Sequence, residues 1–240
     1  MRFFFLEEDP PRDRGPWSPP RPLLRHLQAL RFLDGQELLL LPPAGEAYAA
    51  VYRDPGALEL DGRRERPALP LLPVTLATAW PKGPRADELM VRAAEAGVTR
   101  ILPLQCARSV AGRKDFSPSR LARWQKLLRE TCQQCRRPEI PQLAPRPLTP
   151  GEALERCPGA LPVALLPGTA PLGVQLDLHE PAEVLLFIGP EGGFDDAEEA
   201  WFRDHGIAHA GLLPTVLRIE AAGPAAAVLV QHHALRRRGH

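Results

Sequence analysis

Lysine is nearly absent from this 240-residue chain: Lys82, Lys114 and Lys126 are all it has, against 29 prolines and a large excess of arginine. That bias accompanies GC-rich or thermophilic sources and says nothing about function. Long apolar runs are missing as well. No stretch approaches the roughly 18 residues that span a bilayer, and Met1-Arg2-Phe3-Phe4-Phe5-Leu6-Glu7-Glu8 meets acid too early for a signal-peptide core. A cytoplasmic protein without a membrane partner is expected. Cysteine is scarce: Cys106, Cys132, Cys135 and Cys157 are too few for the dense disulfide framework of a small secreted domain, so reduced thiols are expected. Cys132-x-x-Cys135 lacks a second such pair, and His232-His233 lacks an acid-bearing metal motif and reads as helix surface. No metal is expected. Neither a G-x-x-x-x-G-K-[ST] loop nor a G-x-G-x-x-G fingerprint occurs, which leaves phosphate cradling of nucleotides unsupported.

What is present is a hidden charge asymmetry. The net charge of +1 conceals ten basic residues against two acids between Arg100 and Arg137, a local +8, and nine acids against one arginine between Asp177 and Asp204, a local −8. A solvated helix face is one reading of either stretch. Six further arginines near the N-terminus (Arg2, Arg12, Arg14, Arg21, Arg25, Arg31) support the other, since separate basic segments can combine into a footprint for a polyanion.

Two grammars divide the chain. Up to about residue 70 the pattern is short strands, Arg2 to Leu6, Gln36 to Leu41, Glu46 to Tyr52 and Ala57 to Leu60, with one helix near Pro22 to Phe32. That spacing predicts a small β-barrel. The run Arg66-Pro67-Ala68-Leu69-Pro70-Leu71-Leu72-Pro73 continues neither a ladder nor a helix and marks a linker. The expected domains are therefore 1–70 and 71–240. From Val74 strands and helices alternate: strands Val74 to Ala79, Arg100 to Leu104, Val163 to Leu166, Glu183 to Ile188 and Ala208 to Leu213; helices Ala86 to Ala96, Pro118 to about Arg136, Asp195 through His205, and Ile219 to Leu235. Val, Ile and Leu-rich strands between helices predict an α/β domain with a parallel sheet covered on both faces.

In such a sheet ligands bind beyond the carboxyl ends of the strands. Three consecutive strands end in unusual turns: Leu165-Leu166-Pro167-Gly168, Ile188-Gly189-Pro190-Glu191-Gly192-Gly193, and Leu212-Leu213-Pro214-Thr215-Val216-Leu217-Arg218. A lone glycine turn needs no ligand; three in neighbouring strands point to a cofactor. Glu191, with no lysine nearby, would repel a triphosphate and suits a neutral or cationic ligand such as a sulfonium. Arg218 and Glu220, opening the last helix, either act on a substrate or pair with each other. Acids are ordinary in a first helical turn, which favours the structural alternative from spacing alone.

The segment Ile188 to Phe194 followed by Leu212 to Ala222 resembles the paired C-terminal signatures IGPEGG and LGxRILRxETA of the bacterial 16S ribosomal RNA uridine-N3 methyltransferase family. Supporting similarities span nearly the whole chain: His26-Leu27 with Leu30-Arg31 and Gly35, Lys82-Gly83, Glu95-x-Gly97-Val98, Ile101-x-Pro103-Leu104, and Trp124-Gln125-Lys126 with Gln134, Arg137 and Pro141. The resemblance implies a SPOUT-type domain with a deep trefoil knot that binds S-adenosylmethionine, a PUA-like barrel that binds RNA, and a homodimer in which one subunit's basic segment can serve the other's site. The small ribosomal subunit is the implied partner. It implies cofactor contacts from Leu165, Leu166, Pro167 and Gly168, from Ile188, Gly189, Pro190, Glu191 and Gly192, and from Leu212, Leu213, Pro214, Leu217 and Ala222. Arg218 and Glu220 become the implied catalytic pair. The expected RNA contacts are Arg2, Arg25, Arg31, Lys82, Arg113, Lys114, Arg120 and Arg137. Leu213, Thr215 and Ala221 stand where the family has glycine, arginine and threonine. These departures keep open a different target nucleotide, or an RNA-binding factor without catalysis.

Overall fold

The computed structural model describes residues 2–109 and 115–239, and the chain forms two compact units, Met1–Leu69 with Cys132–Pro138, and Pro70–Thr131 with Glu139–His240. The first unit holds strands β1 (Arg2–Phe5), β2 (Arg14–Trp17), β3 (Glu37–Leu41), β4 (Ala47–Arg53) and β5 (Ala57–Arg64), with helix α1 (Arg21–Ala29). Its sheet runs β1-β3-β4-β5-β2, with β1 parallel to β3 and the other pairs antiparallel. Alternate positions of β4 and β5 are buried, as a sheet with one core face requires. Phe4, Leu27, Leu38, Leu40, Tyr48, Leu58 and Leu60 form that core. Strand β2 has no counterpart in the sequence reading, because Gly15 and Pro16 erase the strand pattern. It is tolerated because β2 lies at the sheet edge, where the missing amide hydrogen of Pro16 costs no ladder bond.

The second unit contains β6 (Val74–Ala79), α2 (Pro84–Glu95), β7 (Arg100–Leu104), most of α3 (Pro118–Gln134), β8 (Gln142–Leu143), α4 (Pro150–Glu155), β9 (Leu161–Leu165), α5 (Leu172–His179), β10 (Val184–Ile188), α6 (Asp196–Asp204), β11 (Ala208–Ala210) and α7 (Ile219–Arg237). The sheet order is β11-β9-β10-β6-β7-β8, and every pairing is parallel. Each residue of β6 and β10 is buried, so helices cover both faces. The α/β fold with a parallel sheet is as the alternation predicts. The capping box that opens α6 is present too: Glu198 N–H donates to Asp195 Oδ1 at 2.8 Å and Asp195 N–H donates to Glu198 Oε2 at 2.9 Å.

In this unit three elements were not anticipated, each for a physical reason. Strand β8 is two residues long and α4 six, too short for a periodic signal. Helix α5 places Leu172, Val174, Leu176 and Leu178 at alternate positions, a strand's period, yet Leu172 and Leu176 are buried while Val174 and Leu178 stay exposed. Strand β11 ends at Ala210, short of the expected Leu213, because Gly211 leaves the ladder: its N–H donates to Ala170 O at 2.7 Å and its carbonyl accepts from Leu172 N–H at 2.9 Å.

Helix α7 is tied to the start of this unit. The buried Gln231 accepts from Leu72 N–H at 2.9 Å and donates from Nε2 to Leu72 O at 2.8 Å. Gln231→Leu strands both backbone groups and is expected to lower stability by about 1–3 kcal/mol, read from the urea unfolding midpoint. An unchanged midpoint would show that solvent replaces the amide.

Candidate active site

The strand registers align the carboxyl ends of five strands. Ala210 pairs with Leu165, Leu165 with Ile188, Ile188 with Thr78 and Thr78 with Pro103, so these residues form one row across the sheet. The three turns noted in the sequence therefore leave from the same edge. The first turn meets the chain just ahead of the third: Leu166 N–H donates to Ala210 O at 2.9 Å, and a Cβ added to Gly211 would lie 2.9 Å from Thr169 O. Only glycine allows that approach. The middle turn folds on itself, with Gly193 at φ 72° and its N–H donating to Pro190 O at 2.8 Å. A Cβ on Gly189 would meet Phe194 Cδ2 and N at 3.2 Å, so any larger residue here would press Phe194 out by a few tenths of an ångström. Phe194 is buried edge-on against Phe202 of α6, with ring centroids 4.8 Å apart, and anchors the loop's far end.

Of the expected cofactor residues, Ile188 and Pro190 are buried, Leu165, Leu166, Gly189, Leu212, Leu217 and Ala222 are half-buried, and Pro167, Gly168, Glu191, Gly192, Leu213 and Pro214 are exposed. The site edge thus presents mostly backbone and small or apolar side chains. Glu191 pairs with Arg85 of α2 at 2.7 Å, with both side chains near half exposure. The pair braces the loop only weakly, because solvent screens it.

Arg218 and Glu220 open α7 but do not pair. Arg218 is the N-cap, exposed and without a side-chain cap bond, and its guanidinium has no ion pair or hydrogen bond among the described residues. Glu220, two residues on, is only 3% exposed, and its Oε2 has no hydrogen-bond partner among the described residues. A buried unmatched carboxylate oxygen is costly and rare. The mutual pair left open by spacing is absent, and what remains is an exposed, unpaired cation two residues before an unsatisfied buried acceptor. Helix α7 lies directly on the sheet here: a Cβ on Gly223 would fall 2.6 Å from Leu76 Cδ1.

The +8 segment is not one surface. Arg100 pairs with Glu183, Arg123 with Asp87 at 2.6 Å, and Lys126 with Glu130 at 3.9 Å, while Arg108 turns toward the glycine loop. Arg137, an expected RNA contact, is 3% exposed, which corrects the expectation of a solvent-facing guanidinium. Arg2, Arg25, Arg31, Lys82 and Arg120 are exposed, and Arg120 lies 5.8 Å over the Trp124 ring. Arg113 and Lys114 lie outside the described residues. His232 is exposed as expected, but His233 is not surface: its side chain is 17% exposed and faces Asp177 of α5 at 3.7 Å. Burial pushes the Cys106 thiol up to about 12, with the nearby Glu198 carboxylate adding to the effect, so it carries little thiolate at neutral pH. No group of three or more His, Cys, Asp or Glu side chains able to hold a metal ion occurs among the described residues, and no helix there is long and apolar enough to cross a membrane.

Residues 67–231 match the RNA methyltransferase domain family, which defines the class. The chain is 36% identical over 184 residues to ribosomal RNA small subunit methyltransferase E of Synechocystis sp., covering 73% of this chain and 59% of that protein. It is 31% identical over 206 residues to the protein of the same name from Mycobacterium tuberculosis, covering 82% and 78%. This chain belongs to the ribosomal RNA small subunit methyltransferase E family. Its fold matches that of the Neisseria gonorrhoeae member solved with S-adenosyl methionine, with a TM-score of 0.78, 28% identity and 97% of each chain covered. A probable rRNA-methyltransferase from Porphyromonas gingivalis shares the fold at a TM-score of 0.80 and 21% identity, over 99% of this chain and all of that one.

Proposed function

We propose that this chain transfers a methyl group from S-adenosylmethionine to N3 of a uridine in the 16S RNA of the small ribosomal subunit. The observation that carries the reading is the opening of α7, where the buried, partnerless Oε2 of Glu220 stands two residues from the exposed, unpaired Arg218. Bound S-adenosylmethionine supplies an electrophilic methyl on a sulfonium. The three turns fit it: they offer backbone and small or apolar side chains, with Glu191, their one carboxylate, paired to Arg85. Leu165 to Gly168, Ile188 to Gly192, Leu212 to Pro214, Leu217 and Ala222 would hold it. Uridine N3 carries a proton at neutral pH that must leave. Glu220 Oε2 is the acceptor, a role favoured over orienting Arg218 because the two do not pair. Arg218 stabilises the negative charge that develops on the uracil oxygens. Positioning of N3 supplies much of the remaining rate.

Three coarser features belong to the same reading. The first unit acts as a PUA-like barrel that grips RNA, with Arg2, Arg25 and Arg31 on phosphates, while Lys82 and Arg120 serve from the second. A threaded trefoil knot of SPOUT type is part of the reading, in the region where Gly211 bridges Pro171 in parallel and packs against Thr169. Val174 and Leu178 on α5 with Val228 and Leu229 on α7, each at least 44% exposed, support a homodimer that covers them.

The test is methyl transfer to small subunits and to free 16S RNA, with mass spectrometry locating the methyl group. N3-methyluridine is expected. Methylation at another atom or nucleotide would overturn the specificity, and no transfer to either substrate would overturn the activity.

A further inference from the structure

Arg108 reaches a loop that the sheet order does not make its neighbour. It follows β7, whereas the glycine loop follows β10, and β6 lies between them. Its Nη1 donates to Gly192 O at 2.8 Å and to Phe194 O at 3.1 Å. The stem of the side chain crosses Gly192, so that a Cβ there would meet Arg108 Cδ at 3.4 Å. A second tie runs alongside: Ala107 N–H donates to Glu198 Oε1 at 2.8 Å, on the same carboxylate that closes the α6 capping box.

Together these bonds fix two peptide planes from both edges. In the Gly192–Gly193 plane the carbonyl is held by Arg108 and the amide by Pro190 O at 2.8 Å. In the Phe194–Asp195 plane the carbonyl is held by Arg108 and the amide by Glu198 Oε2 at 2.9 Å. A peptide plane gripped at one edge still rocks; gripped at both, its neighbours lose their freedom as well. The Arg85–Glu191 pair does not do this, since it binds a side chain near half exposure and leaves the peptide planes alone.

We propose that Arg108 is a positioning residue that pre-sets the Gly189–Gly192 backbone for S-adenosylmethionine, an inference that rests on the cofactor reading above. A loop already ordered binds its ligand without the entropy cost of ordering it. Charge-assisted bonds to carbonyls are also stronger than neutral ones.

Calorimetry with S-adenosylmethionine and hydrogen exchange on the free protein test this together, using wild type, Arg108→Ala and Arg108→Lys. Arg108→Ala is expected to weaken cofactor binding roughly tenfold or more. The KM for the cofactor rises by the same factor while kcat at saturation stays within about threefold. Arg108→Lys recovers part of the affinity, because an ammonium can still reach one carbonyl. The amides of Gly193 and Asp195 exchange faster in Arg108→Ala, and those of α7 do not. Equal exchange at Gly193 and Asp195 in wild type and Arg108→Ala would overturn the proposal, and so would equal cofactor affinity. A wild-type protein that binds no S-adenosylmethionine would instead sink the cofactor reading, while the exchange data still report on the clamp. A general loss of folding would speed exchange throughout α7, which also counts against a local role.

Discussion

Alanine at Arg218 is expected to slow single-turnover methylation at saturating S-adenosylmethionine by about 10²–10³-fold, the loss typical when one preorganised charge-stabilising group is removed. The expectation follows from the guanidinium's isolation. As the α7 N-cap it makes no capping bond, and no carboxylate among the described residues engages it. It is therefore free to meet charge that develops on the uracil oxygens. The same isolation predicts that the variant melts within about 0.5 kcal/mol of wild type, as exposed substitutions away from special features do. Arg218→Lys is expected to fall between, since lysine keeps the charge but loses the planar fork. A single-turnover rate for Arg218→Ala equal to wild type would remove Arg218 from the chemistry.

Glu220→Met is expected to move stability and activity in opposite directions. Removing an unmatched buried oxygen relieves about 1–3 kcal/mol of desolvation. It also forfeits about 0.3–1 kcal/mol of favourable interaction with the helix N-terminus. The first term is larger, so the free protein should gain about 1 kcal/mol and melt a few degrees higher. Methylation should fall by at least about 100-fold if the carboxylate accepts the N3 proton. A variant that melts lower and methylates normally would mean that Glu220 supports α7 and nothing more. The combination of cost in the free protein and need in the reaction is what marks a functional group off from a structural one.

Local features were legible because local chemistry produces them. Val74 to Ala79 and Arg100 to Leu104 form strands with the expected bounds, and Asp195 with Glu198 caps α6 within three residues. Elements whose local pattern misleads were not legible. Helix α5 has a strand's alternation and folds as a helix, with only Leu172 and Leu176 buried. Charge was the most deceptive signal. The +8 and −8 segments suggest two opposed surfaces, yet Arg100 pairs with Glu183 across the two, and Arg108 of the basic segment binds backbone in the acidic one. Part of the asymmetry is internal pairing between residues far apart in sequence.

The sequence by itself determined the alternation of strands and helices, the parallel sheet, the three glycine- and proline-bearing turns, and the placement of Arg218 and Glu220 at the start of the last helix. Each depends on periodicity, capping or backbone permissiveness over a few residues. Tertiary structure alone decided that Glu220 is buried without a partner, that Arg218 does not pair with it, that Arg137 is withdrawn from solvent, and that Arg108 clamps the glycine loop across β6. Burial and long-range pairing depend on which strands lie side by side, and the order β11-β9-β10-β6-β7-β8 is set by packing of the whole unit.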